Sequence, residues 1–194
     1  MELKPTNLLF LDFDGVLNCQ LFYEEYFRDI EKYDGIPLYK TARKLLRKLV
    51  KQKEISTNEY FKRNCCPKRI AMLNYLCEET NTAVVISASM RNTRTVEEIQ
   101  EIFKACGATF NIIDKTPYTG YERGTEISKW LKDNCDKWFD VNYYDFYRYA
   151  ILDDDKDMLL SQQFHFFKVD NYAGLTPTIC DDIRKFFTHK TFRT

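Results

Sequence analysis

The stretch LLFLDFDGVLN, residues 8–18, sets four apolar residues, Leu8-Leu9-Phe10-Leu11, directly before two aspartates, Asp12 and Asp14, and a glycine, Gly15. A continuous apolar run of this length is the mark of a strand covered on both faces, as in parallel sheets flanked by helices. Such a strand has no use for charge in its interior, so Asp12 marks its end. A separation of two residues puts Asp12 and Asp14 on the same side if the chain stays extended. Gly15 lets the backbone turn sharply beside whatever they face.

The rest of the chain alternates in the same style. Residues 66–80 read as a helix, with Pro67 at its first position and Ile70, Leu73, Leu76 and Cys77 along one face. AVVIS (83–87) is a second buried strand. TVEEIQEIFKACG (95–107) is a helix capped by Thr95 and Glu98 and stopped by Gly107. A third strand is expected at ATFNII (108–113) and a helix at TEISKWLKDN, which presents Ile127, Trp130 and Leu131. YAILD (149–153) and FHFFKVD (164–170) give a fourth and fifth strand, and Thr176-Pro177 opens a last helix carrying Ile179, Ile183, Phe186 and Phe187. The pattern predicts an α/β fold with a mainly parallel five-stranded sheet between helical layers. Ligands of such sheets bind at the carboxyl ends of the strands. Those ends hold Asp12, Ser87 and the run Asp153-Asp154-Asp155.

Residues 19–65 break the alternation, being far longer than an ordinary connection. They read as a small, mostly helical cap inserted after the first strand of a single 1–194 domain. The insertion holds Phe22, Tyr23, Tyr26, Phe27, Tyr33 and Tyr39, expected to form its own small core, and a basic helix from about Leu38 to Lys53. From Lys40 to Arg69 there are eleven Lys or Arg against two acids, Glu54 and Glu59, whereas Asp133–Asp157 leans acidic. Placed over the strand ends, the basic run would suit a polyanion. The formal net charge is zero, which excludes a global field favouring nucleic acid or anionic lipid. Hydrophobic residues at 44% and charged residues at 30% fit an ordinary soluble domain.

Seven cysteines, an odd number without a C-x-x-C pair, point to reduced thiols used in packing and to a cytoplasmic protein. No apolar run approaches the ~20 residues of a membrane span. His165 and His189 have no partner pattern and receive no function. The sequence leaves the oligomeric state open.

Several acids meeting at one sheet edge repel one another unless a cation joins them. Oxygen-only ligands suit Mg²⁺, which commonly binds one or two carboxylates together with substrate phosphate. With the charge offset, Asp12 can attack phosphorus and Asp14 can serve as general acid and then base. The second acid favours hydrolysis over a long-lived phospho-enzyme.

LDFDGVLN resembles the first motif of the haloacid-dehalogenase (HAD) superfamily, D-x-D-G-[TV]. VVIS resembles its second and ILDDDKD its fourth, in the expected order along residues 8–157. The resemblance implies a Rossmann-like three-layer sandwich with the first strand central, Asp12 as phosphorylated nucleophile and Asp14 as general acid/base. It implies Mg²⁺ held by the Asp12 carboxylate, the Asp14 main-chain carbonyl and Asp153, with Asp154 or Asp157 assisting. Ser87 would hydrogen-bond the transferring phosphoryl group, with Gly15 turning the chain beside it. The third-motif cation is expected at Arg123, with Lys129 as the alternative.

VISASMR, RGTEISKWL, ILDDDKDM and VDNYAGLT further resemble the small HAD domains of RNA-repair proteins, related to polynucleotide 3'-phosphatases. By that likeness Arg91 contacts phosphate, and the substrate is a nucleic-acid terminal phosphate or a nucleotide. The family often carries Trp where this chain has Met90, and the basic insertion lies outside its pattern. Rival expectations are a small-metabolite phosphatase and a HAD-like binding or effector protein without turnover.

Overall fold

The structure is a computed structural model describing residues 7–28, 37–138 and 149–188, with side chains for all of these except 135–138. Tyr33 and His189, named above, and the side chain of Cys135, one of the seven cysteines, lie outside the described residues. Five parallel strands form one sheet: β1 (Asn7–Leu11), β2 (Thr82–Ile86), β3 (Ile112–Lys115), β4 (Tyr149–Asp153) and β5 (Phe166–Lys168). Their order is β3-β2-β1-β4-β5, so β1 is central, as the resemblance implies.

The continuous apolar character of β1 has a direct cause: both of its faces are covered. Leu9 and Leu11 point into one core with Val84, Ile86, Ala150 and Leu152. Helices α4 (Pro67–Glu79), α5 (Val96–Ala105) and α7 (Pro177–Thr188) close this face through Leu73, Ile102 and Ile183. Leu8 and Phe10 point the other way, to Ala83, Val85 and Ile151, beneath Ile127 and Trp130 of α6 (Arg123–Trp138). Every β1 side chain is buried, each large one contributing roughly 1.5–3 kcal/mol of transfer free energy.

Local signals set the helix ends. Pro67 occupies the first turn of α4, where its missing N–H costs nothing. Thr95 and Glu98 form a reciprocal capping box on α5, with bonds of 3.2 and 2.9 Å. Gly107 ends that helix at a φ of +91°.

Two strands depart from expectation. The third was expected at 108–113 and runs from Ile112 to Lys115. The chain leaving Gly107 is first tied back to α4, where Asn74 accepts from the Thr109 N–H at 2.9 Å. Only then does it pair with β2, with an irregular register at Val84/Val85. Its polar half is satisfied at the edge: the Asp114 carboxylate accepts from Trp130 Nε1 at 2.7 Å. The fifth strand was expected at 164–170 and is confined to residues 166–168. A 3-10 helix at Leu160–His165 precedes it and leaves Phe164 exposed.

After β1 come α1 (Gln20–Tyr26), α2 (Leu38–Lys51) and α3 (Thr57–Arg63). Phe22, Tyr23, Phe27 and Tyr39 cluster with Cys19, Ala42 and Cys66, away from the sheet core. The six cysteines with described side chains are free, and five of them are buried. Among the described residues no helix is long and apolar enough to cross a membrane.

Candidate active site

The carboxyl edge of the sheet is built by the register of its strands. The Asp12 N–H donates to the Leu152 carbonyl, and the Ser87 N–H to the Leu11 carbonyl, each at 3.0 Å. These bonds extend the parallel pairings of β1 by one residue and bring the ends of β1, β2 and β4 level. Asp12, Asp153 and Asp154 consequently place carboxylate oxygens within 4.8 Å of one another.

Arg123, the first residue of α6, reaches into this cluster from above. Its Nη1 donates to Asp12 Oδ1 at 2.5 Å and to Asp153 Oδ2 at 2.6 Å. Burial opposes the charge on this guanidinium, but the two carboxylates outweigh it and raise its pKa. One cation between two acids does not settle the local charge. Burial, then the neighbouring Asp153, drives the Asp12 carboxyl well above the usual range against the pull of Arg123. Asp153 and Asp154 are raised as well, burial again the leading cause. Three crowded carboxyls resisting ionisation are a donor set that fits a divalent cation, which would restore their charged forms.

Ser87 is fully buried, and its hydroxyl has no hydrogen-bond partner among the described residues. A buried orphan hydroxyl carries a cost, which a phosphoryl oxygen of a bound substrate would remove. Gly15 sits at a φ of +77°, and a Cβ there would lie 2.3 Å from Asp154 Oδ2. Its turn is fastened by Asn18, which accepts from the Gly15 N–H at 3.0 Å and donates to Asp14 Oδ1 at 2.6 Å.

Asp14 turns away from the trio. Its Oδ2 accepts from Arg43 Nη2 at 2.6 Å, with close to half of its side chain exposed. Asp157 also stands apart. Its carboxylate accepts the Arg123 N–H at 3.1 Å and its carbonyl accepts the Gly124 N–H at 3.0 Å, so it fixes the start of α6. Lys129 does not reach the cluster. It lies on the exposed side of α6 and pairs with Asp133 at 2.7 Å, so of the two candidates it is Arg123 that touches the carboxylates.

Arg91 is near the site but turned inward. Its guanidinium is buried, donates to the Ser87 carbonyl, and is paired with the buried carboxylate of Glu126. Glu126 also accepts from the Thr119 N–H at 2.7 Å. The pair thereby ties the Ser87 loop to the helix that carries Arg123. Sequence reasoning missed Glu126 and Arg43 as site residues. Glu126 carried a usable signal, lying one helical turn beyond Arg123; Arg43 carried none beyond membership of the basic run.

A central β1 ending in D-x-D-G, with acids from β4 and a cation from a helix start converging on it, defines a HAD-type phosphatase fold and site. Residues 8–179 match the family described as HAD domain in Swiss Army Knife RNA repair proteins, and the chain belongs to that family. No curated protein and no solved structure matches it.

Proposed function

We propose that this protein is a Mg²⁺-dependent phosphohydrolase that cleaves a phosphomonoester through an aspartyl-phosphate on Asp12. The observation that carries this reading is the convergence of Asp12, Asp153 and Asp154 within 4.8 Å, with Arg123 bridging the first two. Asp12, Asp153 and Asp154 would hold the ion, together with the Asp14 carbonyl. Bound there, the cation would offset the negative charge that otherwise keeps phosphate from a carboxylate.

An Asp12 carboxylate oxygen forms a bond to phosphorus as the bond to the leaving oxygen breaks, and Asp14, once turned from Arg43 toward the trio, gives that oxygen its proton. Asp14 then takes a proton from water, whose oxygen attacks phosphorus and releases phosphate with the Asp12 carboxylate restored. Ser87 donates to a phosphoryl oxygen, and Arg123 offsets the charge that builds up on the group in flight. Arg91, held by Glu126, keeps the Ser87 end in place, and Asp157 does the same for Arg123. The substrate we favour is a nucleic-acid terminal phosphate or a nucleotide, in keeping with the family's description and the cations of α2.

The test is phosphate release by wild type and Asp12→Asn on nucleotides, terminally phosphorylated DNA and RNA, and sugar phosphates, with Mg²⁺ and with EDTA. Release that requires Mg²⁺ and disappears in Asp12→Asn is expected. Equal rates for the two proteins would sink the proposal. Turnover of a phosphorylated oligonucleotide should fall with salt far more than that of a small ester, because backbone contacts release counterions.

A further inference from the structure

Between α2, α3 and the 3-10 turn at Ser89–Asn92 lies a cavity of about 500 Å³. Its wall carries four cations, Arg43, Arg47, Lys51 and Arg94, and one carboxylate, Asp14, which Arg43 already engages. Arg43, Arg47 and Lys51 recur every four residues along α2, each about 6 Å further along the helix axis. Arg47 and Lys51 have no ion-pair partner among the described residues. From the opposite wall Arg94 lies over the Phe61 ring, 4.9 Å from its centroid. The backbone carbonyls of Arg91 and Arg94 both accept from Lys115, which holds that wall in place.

The other α2 lysines, Lys40, Lys44 and Lys48, are exposed and lie outside the cavity. Arg47 and Lys51 are exposed too, but with Arg43 they line a concavity whose one described acid, Asp14, is already engaged. Like charges held together in this way are relieved by an anion. The cavity touches Asp14 but none of Asp12, Ser87, Arg123 or Asp153. On the phosphohydrolase reading, from which this inference proceeds, Asp14 protonates the leaving oxygen, so the cavity is where the leaving group lies.

We propose that this cavity is a subsite for a second phosphate carried by the leaving group, bound by Arg47, Lys51 and Arg94. Phe13, Tyr60 and Phe61 supply apolar wall for the carbon body between the two phosphates. The substrate is then a phosphomonoester bearing another phosphate about one nucleoside away, either a terminal phosphate of a small bisphosphate or a phosphodiester of a chain.

Binding can be read without turnover, by calorimetry on Asp12→Asn with Mg²⁺ present. The probes are a nucleoside 3'-monophosphate, the 3',5'-bisphosphate, and a dinucleotide ending in a 3'-phosphate. At least one probe with a second phosphate should bind about tenfold more tightly than the monophosphate. Arg47→Gln/Lys51→Gln should erase that gain, and Arg47→Lys should keep most of it. A gain with the bisphosphate assigns a terminal phosphate to the cavity; a gain with the dinucleotide alone assigns a phosphodiester. Equal affinity for all three probes, or a gain that survives the double substitution in a protein of unchanged melting temperature, overturns the subsite. If wild type releases phosphate but the probes bind equally, only the subsite fails. If the gain is present and no substrate is hydrolysed, only the enzymatic reading fails.

Discussion

Replacing Gly15 by alanine separates a backbone effect from a site effect. Gly15 has a φ of +77°, so an L-residue there pays about 1–2 kcal/mol for the left-handed backbone. In a domain of this size that lowers the melting temperature by about 2–8 °C. The new Cβ would also lie 2.3 Å from Asp154 Oδ2 and 2.4 Å from its Cγ. The Asp154 carboxylate can swing aside, so the collision adds little to the loss of stability, but the group leaves the trio it forms with Asp12 and Asp153. Mg²⁺ affinity should therefore fall about 10–100-fold, the range seen when the groups around a metal are disturbed. Gly107→Ala is the matched control, because its φ is +91° and a Cβ there meets nothing within 4 Å. Both variants should melt earlier by similar amounts, and only Gly15→Ala should need more Mg²⁺ to recover stability in a thermal-shift titration. Identical Mg²⁺ titrations for the two variants would refute the idea that Asp154 belongs to the metal site.

The Arg91–Glu126 pair is almost completely buried, so Glu126→Leu strands a cation and should cost about 3–5 kcal/mol in urea unfolding. Arg91→Met/Glu126→Leu should cost less than that single change, and a double variant as unstable as the single or worse would deny the pair its structural weight. His165 stacks on Tyr149 at 3.9 Å between ring centroids, and burial holds its imidazole below the ordinary value despite the hydrogen bond to the Tyr149 carbonyl. The unfolded chain thus takes up this proton at a higher pH than the folded one. His165 contributes its full share of stability above about pH 6.5 and loses it as the pH falls. His165→Gln should flatten that part of the stability curve, and an unchanged slope below pH 6.5 would count against the assignment.

The sequence by itself settled which residues end the strands. Leu8–Leu11, Ala83–Ile86 and Tyr149–Leu152 are apolar on both faces because helices cover both, and that burial is written locally as an unbroken apolar run. Where such a run stops, the next polar residue stands at the sheet edge. For that reason Asp12, Ser87 and Asp153 are legible from the order of residues alone. The third strand was misplaced because its apolar residues at 108–113 lie partly in a turn fastened to α4, a contact no local period records.

Tertiary structure alone decided the partners. Arg43 meets Asp14 across 29 residues, Arg91 meets Glu126 across 35, and Arg123 meets Asp12 across 111. A charged side chain looks the same in sequence whether it faces water, another charge or a substrate. Only the crossing of separate elements fixes which of these it meets. It turned Arg91 inward onto Glu126, left Lys129 outside, and brought one stripe of a basic helix over the acid that a leaving group would need.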